Sequence, residues 1–343
     1  MNAEKTVFDT TPAGEQVDSY TIVSASGALL EVLSYGGIVR RLAVPDREGV
    51  PADVVLGCDS VEDYLQADSF FGALIGRFGN RIARGRFALD GQTCHVTPNE
   101  GENHLHGGAT GFDKVLWDVE PRTTENGEGV RLHYISPDGE EGYPGTLHVT
   151  VTYVLTREDA LRIDYEATTD KPTPVNLTHH SYFNLSGHDR GDVLSHELQI
   201  HADAYLPVDE QLLPTGEIAD ADGAMDFRQP KPIGRDIQAA GGYDHCYVLR
   251  GQAGTLRPVA WVRDPASGRV MEVSTTEPGM QLYTGNNLSG ESGKGEASYG
   301  QHAGFCLEAQ HYPDSPNHPE FPSTILPPGQ RYRQATVYRF SAE

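Results

Sequence analysis

The sequence predicts an all-β protein, a large single-domain antiparallel β-sandwich over residues 1–343, and three observations predict it. The strongest hydrophobic periodicity has period two rather than 3.6. The clearest turn signal, Asp90-Gly91, is a hairpin signal. Gly and Pro together make 38 + 22 = 60 residues, which suits a chain that turns often. Length alone permits two domains, but all-β domains often run past about 200 residues as one unit.

Strands are expected at 29–33 and 37–44. Ser60-Val61-Glu62-Asp63-Tyr64-Leu65 follows as a capped turn or two of helix, because a Ser precedes an acidic first turn. Phe87 to Val96 folds back on itself at Asp90-Gly91. In 147–155, Leu147, Val149, Val151, Tyr153 and Leu155 face one way and His148, Thr150 and Thr152 the other. A second alternation sets Leu161, Ile163, Tyr165 and Ala167 against Arg162, Asp164 and Glu166, so the pair reads as a hairpin with one wet face. Further strands are expected at 196–202, 258–263, 269–275, 279–284, 304–310 and 331–340. The Gly- and Ser-rich stretch 285–300 reads as a flexible surface loop.

Composition removes several function classes. Lys and Arg number 26 against 49 Asp and Glu, a net charge of −23, so the general field repels nucleic acid and anionic membrane surfaces. No apolar stretch approaches the ~18 residues of a membrane helix. The amino end, Met1 to Asp9, lacks the basic start and apolar run of a signal peptide, and Cys58, Cys94, Cys246 and Cys306 form no CxxC pair. A cytoplasmic protein with reduced thiols is expected. No GxGxxG follows a strand, no P-loop surrounds Lys294 and no GxSxG occurs, so no cofactor is expected.

Three His clusters carry chemistry. His104 and His106, two apart on a strand, would share a face and grip a metal, but no third ligand stands at a suitable spacing and no metal is predicted. The alternative places them on a turn, with one facing a cleft. His179 and His180 are neighbours, so one ring faces a pocket and the other does not. Their segment, Asn176 to Leu185, mixes aromatic rings with hydrogen-bonding groups, as a sugar site requires. Glu308 lies in an apolar strand-like run before His311, where a carboxylate must be paired, hydrogen-bonded or functional.

These segments resemble the aldose 1-epimerase (galactose mutarotase) family, in order and over nearly the whole chain. The motifs are Ser34-Tyr35-Gly36-Gly37, Gly79-Asn80-Arg81-Ile82-Ala83, Leu105-His106-Gly107-Gly108, Asn176 to Leu185, Tyr205 to Asp209, Pro214-Thr215-Gly216, Tyr243-Asp244-His245, Gly279 to Asn286 and Leu307-Glu308-Ala309-Gln310-His311. The resemblance implies the galactose mutarotase-like supersandwich with an open cleft. It implies that Glu308 is the catalytic base and His180 the acid, with His106 assisting near the ring oxygen. Asn80, Arg81, Tyr182, Asp244 and Gln281 would hold sugar hydroxyls. The implied partner is a free aldose of the glucose or galactose type, and the chain is expected to act as a monomer or homodimer. His179 stands where the family usually has Asn, and Ala309 where it often has Thr. Arg77, close to the Asn80-Arg81 motif, is a second candidate for the sugar-contacting Arg.

Anomer exchange requires a proton to leave the C1 hydroxyl while another reaches the ring oxygen O5. A carboxylate and an imidazole titrate in the right range for this exchange near neutral pH. The alternatives are a hexose-phosphate 1-epimerase, which needs a basic pocket, a non-catalytic carbohydrate-binding module, and a metal enzyme using His104 and His106.

Overall fold

The computed structural model describes residues 3–67 and 69–343; Met1 and Asn2 of the amino-terminal stretch lie outside them. Three main sheets carry the chain. The first five strands, from Glu4–Thr10 to Pro51–Asp53, form an antiparallel sheet in sequence order. A nine-stranded sheet runs through Asp118–Thr123, Gly127–Ser136, Leu147–Thr156, Ala160–Thr169, Tyr332–Ala342, Arg269–Thr275, Arg257–Arg263, Glu197–Ile200 and Lys231–Pro232. A second five-stranded sheet has the order Ala219–Asp220, Ala202–Tyr205, Asp244–Leu249, Gly279–Tyr283 and Cys306–Gln310.

The expected central hairpin is formed, with Val151 opposite Tyr165 and Tyr153 opposite Ile163. Its alternation becomes burial: Leu161, Ile163 and Tyr165 are inside, while Arg162, Asp164 and Glu166 stay half-exposed. A Leu or Ile buried this fully contributes roughly 1.5–3 kcal/mol, so a slip by one residue would invert the face and forfeit several such terms. One apolar cluster draws on all three sheets, with Val32 and Leu42 from the first, Val151 and Val273 from the second, and Met280 and Leu307 from the third. The Tyr338 hydroxyl donates to Leu307 O at 3.0 Å and Gln334 Nε2 to Ala309 O at 3.0 Å, which fixes the third sheet on the second.

The Asp90-Gly91 hairpin pairs Arg86–Leu89 with Gln92–His95. Ser60 accepts the Asp63 N–H at 3.1 Å and starts a helix over Val61–Ala67, as its sequence predicts. The strand expected at 37–44 begins at Val39, because Gly36 and Gly37 both take left-handed backbone angles. Two expectations are corrected. His104 and His106 do not share a strand face: the strand ends at Leu105, and His106 adopts φ +51°. Nor is 285–300 a free loop. Glu291–Ser292 pairs with Ser298–Tyr299, and buried Lys294 donates to Arg40 O at 2.7 Å, Asp53 Oδ2 at 2.6 Å and Val55 O at 2.7 Å. A single long cation satisfied from three sides pins the segment to the first sheet.

Candidate active site

Glu308 sits mid-strand in Cys306–Gln310, opposite Gln281 of the neighbouring strand. Period-two alternation sends Leu307 and Ala309 into the core and turns Glu308 toward a polar cleft. The side chain is 2% exposed and Oε2 has no hydrogen-bond partner among the described residues. Burial pushes its pKa well above the usual carboxylate range; Asp244 pushes the same way and Arg81 opposes.

His180 follows the short strand Thr178–His179, which pairs with Leu74–Ile75. Its backbone is held twice, N–H to Ala73 O at 3.0 Å and C=O from Gly72 N–H at 3.0 Å. The ring lies in the cleft wall near Phe70 and Tyr182, at centroid distances of 5.8 and 5.0 Å. Its Nε2 is 3.7 Å from Glu308 Oε1, and burial drops its pKa to about 4. His179 points the other way, as alternation requires: Nε2 meets Ser181 Oγ at 2.7 Å and Nδ1 meets the Tyr153 hydroxyl at 3.5 Å. It is walled off from the cleft.

His106 reaches the cleft because the chain turns left-handed at its own φ and continues through Gly107 and Gly108. A Cβ at Gly107 would stand 1.9 Å from Gly76 O, so only glycine fits there. The His106 Nδ1 accepts the Asn80 N–H at 3.1 Å, and the His106 N–H donates to Asn80 O at 3.1 Å. This assigns the ring proton to Nε2, which makes His106 a hydrogen-bond donor to the cleft. Asn80, itself at φ +62°, accepts the Arg81 N–H on its Oδ1 at 2.9 Å.

Arg81 extends from a two-residue strand paired with His104–Leu105. Its Nε and Nη2 donate to Glu100 at 2.6 and 2.7 Å, and Nη1 lies 3.8 Å from Asp244 Oδ2. Asp244 begins its strand and lines the cleft. Burial raises its pKa, and Arg81 and the Gln281 amide pull it back. Gln281 does not line the cleft; its Nε2 donates to Asp244 Oδ1 at 2.6 Å from behind. Asn80, Arg81, His106, His180, Tyr182, Asp244 and Glu308 are therefore brought together, and Gln281 stands one layer back.

Arg77 is elsewhere. Its guanidinium is buried among Ser136, Pro137, Pro144 and Gly145, to which it donates five hydrogen bonds, and it does not touch the cleft. His104 has both nitrogens occupied, Nδ1 by Thr97 O at 2.7 Å and Nε2 by the Tyr143 hydroxyl at 2.6 Å. It offers no lone pair to a metal. His106, His180 and Glu308 each place a donor atom within 4.8 Å of the others. The His106 tautomer leaves neither of its nitrogens free, since one accepts a hydrogen bond and the other carries the proton.

Sequence reasoning missed part of the wall: Ser69, Phe70, Glu100, Leu105, Tyr283, Asn287 and Leu288. Tyr283 was within reach, because alternation from Gln281 places it on the same face. Glu100 follows no periodic pattern, lying in a turn closed by reciprocal backbone bonds with Asn103.

The fold and the cleft together define a β-sandwich enzyme with titratable side chains gathered in a polar cleft. Comparison with known proteins agrees. A family model described as aldose 1-epimerase matches residues 18–339. The galactose mutarotase of Bos taurus is 46% identical over 345 residues, covering 99% of each chain, and the aldose 1-epimerase of Escherichia coli (strain K12) is 39% identical over 341 residues, covering 97% of each. Among solved structures, the galactose 1-epimerase from Lactobacillus acidophilus NCFM superposes with a TM-score of 0.86 at 29% identity, over 99% of this chain and 98% of that one. The chain belongs to the aldose 1-epimerase family.

Proposed function

We propose that this enzyme, which interconverts the α and β anomers of aldoses, does so with Glu308 as base and His180 as acid on a free hexose bound in the cleft. The observation that carries the assignment is the 3.7 Å approach of His180 Nε2 to Glu308 Oε1 inside a cleft lined by polar and aromatic side chains. Two proton-exchanging groups that close can flank C1 and O5 of one pyranose. Glu308 takes the proton of the C1 hydroxyl as the C1–O5 bond breaks, and the proton on His180 goes to O5. The aldehyde turns about C1–C2, O5 attacks its other face, and the two groups return their protons. His106 donates from Nε2 near the ring oxygen. Asn80, Arg81, Asp244 and Tyr182 hold the hydroxyls, and Gln281 holds Asp244. This arrangement keeps the open chain in place until it recloses.

The finer reading is a glucose- or galactose-type substrate, one catalytic unit per chain, and a cytoplasmic monomer or homodimer. The core shared by three sheets supports a single unit, and four unbridged cysteines suit a reducing compartment. Glu308→Gln tests the assignment by polarimetry on fresh α-D-galactose. The enzymatic rate is expected to fall by on the order of 10²–10⁴-fold with the melting temperature preserved. A near-normal rate would remove Glu308 from the chemistry.

A further inference from the structure

Arg81 is the one Lys or Arg on the cleft wall among the described residues, and Glu100 occupies it. The contact is fork to fork, Nε to Oε2 at 2.6 Å and Nη2 to Oε1 at 2.7 Å. Such a guanidinium would otherwise present the geometry that planar or tetrahedral anions bind. The Arg81 side chain is 7% exposed and that of Glu100 37%, so the carboxylate closes the guanidinium off on the solvent side. Glu100 is itself built in: its N–H donates to Asn103 O at 3.0 Å, its C=O accepts the Asn103 N–H at 2.9 Å, and Asn103 Oδ1 is taken by the Arg84 N–H. The cleft therefore sets three carboxyl groups, Glu100, Asp244 and Glu308, against one guanidinium. Within it, Glu308 Oε2 is buried without a hydrogen-bond partner among the described residues.

We propose that Glu100 is a specificity-determining residue, which neutralises Arg81 and thereby makes the cleft admit uncharged aldoses and reject anionic ones such as hexuronates and hexose 6-phosphates. This rests on the assignment of the cleft as the aldose site. A sugar hydroxyl needs only the outward N–H groups of Arg81, which Glu100 leaves free on Nη1. A sugar carboxylate or phosphate needs a net positive partner, and it meets instead a guanidinium already matched by the Glu100 carboxylate, with the Asp244 carboxyl beside it.

The test is Glu100→Gln, close in shape and without the charge. The ratio of kcat/KM on galacturonate to that on galactose is expected to rise by about tenfold or more, because a like charge has left the cleft and a guanidinium has been released. Glu100→Asp should return the ratio toward that of the unmodified enzyme. A ratio unchanged within about twofold, or an equal loss on both sugars, would overturn the proposal and reduce Glu100 to a prop. A second measurement needs no variant. In the unmodified enzyme, galacturonate should inhibit galactose turnover at least about tenfold more weakly than glucose does, with the gap narrowing as salt is added. Equal inhibition would also overturn it. Absence of turnover of both galactose and glucose by the unmodified enzyme would refute the reading of the cleft as the aldose site, an outcome distinct from turnover with an unchanged ratio.

Discussion

His180 Nε2 faces Glu308 Oε1 across 3.7 Å, with the two side chains 5% and 2% exposed. The gap is too long for a hydrogen bond, and burial acts on the two groups in opposite senses, lifting the carboxyl and lowering the imidazole. Burial thereby places the one proton of the pair on Glu308, and the reactive form, with Glu308 ionised and His180 protonated, is the less populated arrangement of that same proton.

The pH dependence of kcat/KM follows from that count. Turnover requires one proton on the pair. It fails on the acid side when a second proton reaches His180, at about pH 4 rather than at the 6.5 of a free imidazole. It fails on the alkaline side only above the raised range of Glu308. We expect a plateau that extends below pH 5.5, measured by polarimetry after subtraction of the spontaneous rate. An acid limb near 6.5 would show that the imidazole is not desolvated as described.

The two adjacent histidines should separate cleanly. His180→Ala is expected to lose on the order of 10²-fold or more in rate, since the proton donor to O5 is gone. His179→Ala should retain most activity but melt at a lower temperature, because it leaves the Ser181 hydroxyl without its ring partner, removes one contact of the Tyr153 hydroxyl and opens a buried cavity. The reverse ranking of rates would place the wrong ring in the cleft.

Stability should fall as the medium is acidified below neutrality. His104, His180 and His196 are held at about 4 and His179 at about 3, in each case mainly by burial. Between the unfolded value of about 6.5 and these folded values the unfolded chain binds more protons than the folded one, so folding weakens as pH drops through that window. Each ring contributes on the order of 3 kcal/mol across the full window. Glu308 acts in the opposite sense, its stability term being lost as pH rises through its raised folded pKa. Calorimetric melts at pH 7, 6 and 5 should descend monotonically; a flat series would contradict the burial of these rings.

Breaking the Lys294–Asp53 pair should damage the fold more than the chemistry. The Lys294 and Asp53 side chains are 6% and 10% exposed. Lys294→Met leaves Asp53 without its ammonium partner, and removing one member of a buried pair costs about 3–5 kcal/mol. Chemical denaturation should register that loss, with galactose turnover of the folded fraction reduced only as far as Asn287 and Leu288 shift in the cleft wall. Unchanged stability would mean that the segment is loosely held after all.

Much of the sandwich was legible because period-two patterns are local. The strands at 29–33 and 269–275 appear with the bounds expected, since each is a continuous apolar or alternating run. Gly127–Ser136 carries a comparable signal, Val130, Leu132 and Tyr134 against Arg131 and His133, and was open to the same reasoning. Short strands such as Arg81–Ile82 have too few residues to show a period, and only tertiary pairing with His104–Leu105 defines them. The position of His106 was hidden because one left-handed residue reverses the face that alternation assigns. The displacement of Gln281 behind Asp244 depends on side-chain reach, on which strand register is silent.

The burial of Lys294 turns a compositionally loose segment into a guarded one. A trypsin-like protease must draw several residues of backbone into its groove before cutting after a lysine, and here the lysine's head group is locked beneath the first sheet. Scission at that bond would therefore report an opening of the cleft's outer rim, and its rate, compared with and without sugar, would time how often the enzyme breathes.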